Sequence, residues 1–98
     1  MLVAAVNMAP TEADRFADSA GSMETVARSM GEGAELEQQT IGNLTFEKVF
    51  RVNGLVYFQQ GQGWLGDRVY GYVWSPRAQP REAEHVEGPW YRYTDLED

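Results

Sequence analysis

The pair Asn53-Gly54 limits the fold of this chain more than any other feature of its sequence. A two-residue hairpin loop of type I′ needs positive φ at both central positions, which Asn tolerates and Gly adopts freely. LTFEKVFRV (Leu44 to Val52) precedes the pair and LVYFQQ follows it, both rich in β-branched and aromatic residues. So short a loop also sets the register: Val52 faces Leu55, Phe50 faces Tyr57, and Lys48 faces Gln59. On the other side of the ribbon Arg51 meets Val56, Val49 meets Phe58, and Glu47 meets Gln60. Both sides carry bulky apolar pairs near the turn, whereas a sheet wet on one side alternates more cleanly. The expectation is a sheet covered, at least in part, on both faces.

Beyond Gln60 the run from Gly61 to Asp67 (GQGWLGD) reads as a glycine-rich turn, and Arg68 to Trp74 reads as the next strand. Tyr70, Tyr72 and Trp74 share one face of that strand; Val69, Gly71 and Val73 share the other. Gly71 marks either a close approach by a helix or second backbone, or a bulge. Ser75-Pro76 ends the strand, because proline has no N–H for a ladder. A loop with Pro76 and Pro80 follows, then a short strand at about Glu84 to Glu87. Gly88-Pro89 turns the chain into a last strand from Trp90 to Thr94.

Upstream, Thr11 has the character of a helix N-cap, with Glu12 and Asp14 placed to suit the positive end of the helix dipole. Ala13, Phe16, Ala17, Ala20, Met23, Val26, Ala27 and Met30 recur at helical spacing. They predict an amphipathic helix over about 11–30, weakened at Gly21 and laid on the sheet. Residues 31–40 read as a C-cap and acidic connector, with at most a helical turn around Leu36. The expected fold is a single α+β domain over residues 1–98. Its N-terminal amphipathic helix packs on a four- or five-stranded antiparallel β-meander over 41–95, and 96–98 form an acidic tail.

Composition narrows the function. At 43% hydrophobic and 12% aromatic residues the chain is made to fold, since disorder goes with lower hydrophobicity. A net charge of −7 opposes nucleic acid, whose backbone needs a basic face, and opposes anionic membrane surfaces. Cysteine is absent, which removes disulfides, thiolate metal ligands and thiol nucleophiles. No apolar run approaches the ~20 residues of a membrane span. The start, Met1 to Val6, is short and lacks a positive region, so it is read as an intact cytoplasmic start. The alternative is the remnant of a signal in an exported protein.

Several patterns carry chemistry elsewhere and weigh little here. Gly61-x-Gly63-x-x-Gly66 matches the dinucleotide fingerprint, but that motif needs a helix to begin at the glycines, and a strand follows instead. A plain hairpin loop is the expectation. His85 is the lone histidine; Glu84 and Glu87 beside it favour its charged form but make a poor metal site. Asp67 reads as a turn residue, and Ser75 has no spacing that would make a triad with His85. Asn43-Leu44-Thr45 is a glycosylation sequon by pattern alone. Neither a metal nor a cofactor is expected.

The aromatics are the unusual feature, concentrated in the C-terminal half. Tyr and Trp are amphipathic and mark binding surfaces more than Leu does. If the chain binds a small ligand, the row Trp64, Tyr70, Tyr72, Trp74 and Trp90 is where it would sit. A neutral sugar or proline-rich peptide suits flat faces with polar rims. The competing expectation is that these rings are core. The reading that follows is a non-enzymatic protein-interaction domain, expected as a homodimer, whose bare sheet face a second subunit hides. The alternatives are a binder of a neutral small molecule, carbohydrate or peptide, and a small enzyme with a pocket around His85.

Overall fold

The computed structural model describes residues 11–62 and 69–93. Helix α1 (Glu12–Ser29) starts at a capping box: Thr11 Oγ1 accepts from the Asp14 N–H at 3.1 Å, and the Asp14 carboxylate accepts from the Thr11 N–H at 3.2 Å. At its other end the Ala27 carbonyl accepts from the Met30 N–H at 3.2 Å, and the Arg51 guanidinium donates to it (3.4 Å) and to the Met30 carbonyl (3.1 Å), which tightens the helix end. Phe16, Ser19, Met23 and Ala27 are buried at helical spacing, and Met30, the C-cap, is buried beyond them. Ala13 and Ala17, also expected on that stripe, are exposed. Nothing crowds Gly21, which faces outward. The helix is not long and apolar enough to cross a membrane.

Six strands follow: β1 (Glu35–Ile41), β2 (Leu44–Val52), β3 (Leu55–Gln62), β4 (Val69–Trp74), β5 (Glu84–Glu87) and β6 (Trp90–Tyr93). They form one antiparallel sheet in the order β1-β2-β3-β4-β6-β5. The α+β class is as expected, with two corrections. The supposed connector is largely strand β1, and no helical turn forms at Leu36. Its polar sequence suits an edge, and Gly42-Asn43 closes a second two-residue hairpin in which Ile41 faces Leu44 and Gly42 has φ +61°. The sheet is also not a simple meander, because β5 and β6 exchange places. All four residues of β5 are exposed, while β6 must bury Trp90 and Tyr93; β6 therefore takes the inner position beside β4.

The register across Asn53-Gly54 is the expected one from Val52↔Leu55 to Lys48↔Gln59. Asn53 and Gly54 have φ of +55° and +81°, as a type I′ loop requires. The ladder ends at Lys48↔Gln59, where Glu47 Oε1 accepts from Gln59 Nε2 at 3.0 Å, and β3 shifts register against β4 between Gln59 and Gly61. Gly71 lies opposite that irregularity. A Cβ there would stand 2.1 Å from the Phe58 carbonyl oxygen, so the close approach is by the neighbouring strand's backbone.

Strict alternation fails once in β2. Leu44, Phe46 and Val49 all belong to one core, although Val49 should face away from Phe46. The side-chain phase changes at Glu47–Lys48, and across the ladder Gln38 has φ +44°. With that change, one face of the sheet gathers Leu44, Phe46, Val49, Val56, Phe58, Tyr72, Trp74 and Trp90 beneath α1. The β1–β2 hairpin is fastened to the helix through Ser19. Its hydroxyl donates to the Arg15 carbonyl (2.7 Å) and accepts from the Asn43 N–H (2.8 Å), and a Cβ on Gly42 would meet its Oγ at 2.5 Å.

Candidate functional site

The five rings expected as a ligand row divide between core and elsewhere. Tyr72, Trp74 and Trp90 are only 3%, 4% and 3% exposed and lie beneath α1. Phe16 stacks on Tyr72 with ring centres 4.5 Å apart and meets Trp90 edge-on at 5.4 Å. These three are the core that the competing expectation described. Tyr70 is half-buried, and Trp64, like Asp67, lies outside the described residues. The Tyr72 hydroxyl donates to Glu12 Oε2 at 2.7 Å. Gln60 Nε2 (3.2 Å) and Arg92 Nη1 (3.5 Å) converge on the same oxygen. Arg92 also sits over the Tyr72 ring at 4.6 Å. Burial first, and the Glu12 contact second, hold the Tyr72 phenol well above the usual tyrosine range. This network pins the start of the helix to the sheet.

The opposite face carries its own aromatic patch. Phe50 and Tyr57 stack at 5.1 Å with planes 11° apart, and Tyr57 meets Tyr93 edge-on at 5.5 Å. The Lys48 ammonium lies 5.7 Å from the Phe50 ring centre and 3.8 Å from the Glu35 carboxylate. Val52 is 41% exposed at the end of the patch; Phe50, Tyr57 and Leu55 are half-buried. Tyr93 is 2% exposed, and its hydroxyl has no hydrogen-bond partner among the described residues. Burial raises both the Tyr93 and the Tyr57 phenol above the ordinary range. The pairs Phe50/Tyr57 and Val52/Leu55 were legible from the turn. That the helix covers the other face was not.

A cleft of about 800 Å³ opens where the C-terminal end of α1, the Asn53-Gly54 tip and the loop after β4 meet. Arg28, Arg51 and Arg77 line it, with Glu32 and Trp74. Arg28 is bonded to Glu24 at 2.6 Å and lies 5.3 Å from the Trp74 ring centre. Glu32 reaches the hairpin tip, where its carboxylate accepts from the Gly54 N–H at 3.0 Å and from the Asn53 N–H. These backbone donors, Gly54 first, and the nearby Arg51 hold its carboxyl below the usual range. No single stretch of sequence signals this cleft, because its arginines come from three separate elements.

His85 is exposed on β5, with its ring 5.0 Å from Tyr91 and its Nε2 3.0 Å from the Gly88 carbonyl oxygen. It lines neither the arginine cleft nor the shallower cleft beside Tyr91. Among the described residues no group of three His, Asp or Glu side chains is placed to hold a metal ion. The described residues therefore present two features, an aromatic patch on the face away from α1 and a cleft with arginines. Compared with known proteins, the chain matches no family model, no curated protein and no solved structure.

Proposed function

We propose that this chain is a non-enzymatic interaction domain that pairs with a second copy of itself through the bare face of its sheet. The observation that carries the reading is the stacked Phe50–Tyr57 pair with exposed Val52 beside it, on a face that α1 does not cover. Aromatic rings supply large contact area with few torsions to freeze, which suits an interface.

A copy of the same chain can approach this face with least repulsion at its uncharged end, where Val52, Leu55, Phe50 and Tyr57 lie together. A molecule of net charge −7 repels its own kind except where its surface is locally neutral. Around Phe50 the described charges are Lys48, paired with Glu35, and Glu37 and Glu47, which lie towards the far end of the ribbon from Val52. Glu12, Asp14 and Asp18 lie on the helix, away from this face. The chain has no cysteine, which fits the cytoplasm, the location we propose, as it would fit an exported protein.

Light scattering coupled to gel filtration tests the pairing. The expected result is a dimer mass at tens of micromolar, falling to a monomer mass for Val52→Glu. That position is exposed enough for the fold to survive the change, which circular dichroism checks. A monomer mass for the unaltered chain at these concentrations removes the proposal.

A further inference from the structure

The charge of the arginine cleft runs against that of the molecule. Three of the chain's eight Lys and Arg residues line it beside Glu32, and with Glu24 bonded to Arg28 the local balance is still +1 on a chain of net −7. Its volume, about 800 Å³, falls within the range of small-molecule sites. The walls are held in place before any ligand arrives. Glu32 fixes the hairpin tip through the Gly54 N–H. The loop after β4 is fixed by the Ser75 N–H, which donates to the Pro89 carbonyl at 2.8 Å, and by the Ser75 hydroxyl, which donates to the Ala78 carbonyl. Pro76 and Pro80 stiffen that loop further. A cleft already ordered loses less entropy when it binds.

The three arginines are not equivalent. Arg51 is committed to the carbonyls that end α1, and Arg28 to Glu24 and the Trp74 face. Arg77 is exposed and makes no hydrogen bond or ion pair to any described residue. Leu55, Pro76 and Pro80 give the cleft apolar wall beside these cations.

We infer that this cleft binds a small organic anion, whose carboxylate or phosphate group meets the guanidinium of Arg77 while its apolar part lies against Leu55, Pro76 and Pro80. A planar guanidinium pairs two-pronged with either oxyanion, so the shared chemistry is the flat, multiply charged acceptor. Net acidity alone would exclude such a ligand; the local placement of the arginines reverses that expectation. The site is separate from the Phe50–Tyr57 patch and does not rest on the dimer.

The test is a titration of ¹⁵N-labelled full chain, followed by amide shifts, with benzoate, phenyl phosphate and the neutral benzamide. Saturable shifts at Gly54, Arg77, Ala78 and the Trp74 indole are expected with the two anions, far weaker with benzamide, and reduced by salt. Tighter binding of benzoate or of phenyl phosphate identifies the head group. Arg77→Ala should weaken binding about tenfold or more and leave the remaining spectrum unchanged, since its side chain is exposed and bonds to no other described residue. Arg81→Ala, just outside the lining, should change affinity less than about twofold. Absence of saturable shifts overturns the inference. So does an equal response to benzamide, or an undiminished affinity in Arg77→Ala.

Discussion

Phe58 and Phe50 sit on adjacent strands of one hairpin, yet they lead different lives. Phe58 is fully buried on the face under α1, with Phe46 at 5.4 Å and Trp90 at 5.5 Å. Phe50 is half-buried on the other face, stacked on Tyr57 with Lys48 across it. The two faces are built from the same kinds of ring, so composition does not decide which one is core. What lies across the face decides. Under the helix the Tyr72 hydroxyl has Glu12 as a partner, while on the bare face the Tyr93 hydroxyl has none among the described residues. The face under α1 holds the domain together; on the other face Phe50, Tyr57 and Val52 keep contact with solvent, while Val73 and Tyr93 beside them are buried.

The largest expected effect tests that division directly. Phe58→Ala should destabilise the domain by about 3–5 kcal/mol, the cost of a cavity in a filled core. Phe50→Ala, measured at concentrations low enough to keep the chain monomeric, should cost only about 1 kcal/mol, because less area leaves water there. Urea denaturation midpoints compare the two. Equal losses would break the comparison. A loss at Phe50 that grows with protein concentration would sharpen it, since binding a second copy stabilises the folded state by mass action.

Exposure is not the whole of the difference, and Gly71 separates the two causes. By alternation it points to the bare face, but an added Cβ would stand 2.1 Å from the Phe58 carbonyl oxygen of the next strand. Gly71→Ala should therefore cost about 2–3 kcal/mol through overpacking, although the change adds apolar surface. Gly54, at the tip that joins the two faces, has φ +81° and nothing within 4 Å of a built Cβ. There Gly54→Val should cost about 1–2 kcal/mol for conformation alone. Thermal melts that ranked Gly54→Val above Gly71→Ala would show that the β3–β4 approach is looser than drawn.

What was legible in the sequence was local. Asn53-Gly54 fixed its own register, and the stripe from Phe16 to Met30 marked the helix, because both signals lie within a few residues of their effect. β1 escaped because Glu35 to Thr40 is polar, as an edge strand with a wet side is allowed to be, although Gly42-Asn43 carried the turn signal that closes it. The exchange of β5 and β6 depends on which strand must bury its rings, a tertiary choice that neither strand states alone. Alternation also misleads across Glu47–Lys48, where the phase changes and Val49 joins Phe46 in the core. The arginine cleft was hidden for a simpler reason. Positions 28, 51 and 77 have no sequence relation until the sheet brings them together.

The smallest effect at neutral pH is expected at Tyr93, and it bears on what the bare face is for. Its buried hydroxyl has no partner among the described residues, a cost that the ring alone would not carry. Tyr93→Phe should leave stability unchanged or raise it by up to about 1 kcal/mol. At alkaline pH the two chains should part further. Burial raises the folded-state pKa of Tyr93, and likewise those of Tyr72 and Tyr57, above the ordinary value near 10. The folded form therefore keeps protons that the unfolded chain has already released. Stability from this source is complete below about pH 10 and declines as pH rises through and beyond it. Tyr93→Phe removes one of the three contributing phenols, so its stability should fall less steeply above pH 10. Urea midpoints across that range measure both slopes. A parallel fall in the two chains would mean that Tyr93 ionises as freely in the folded domain as in the unfolded one, and that water reaches its hydroxyl on the bare face.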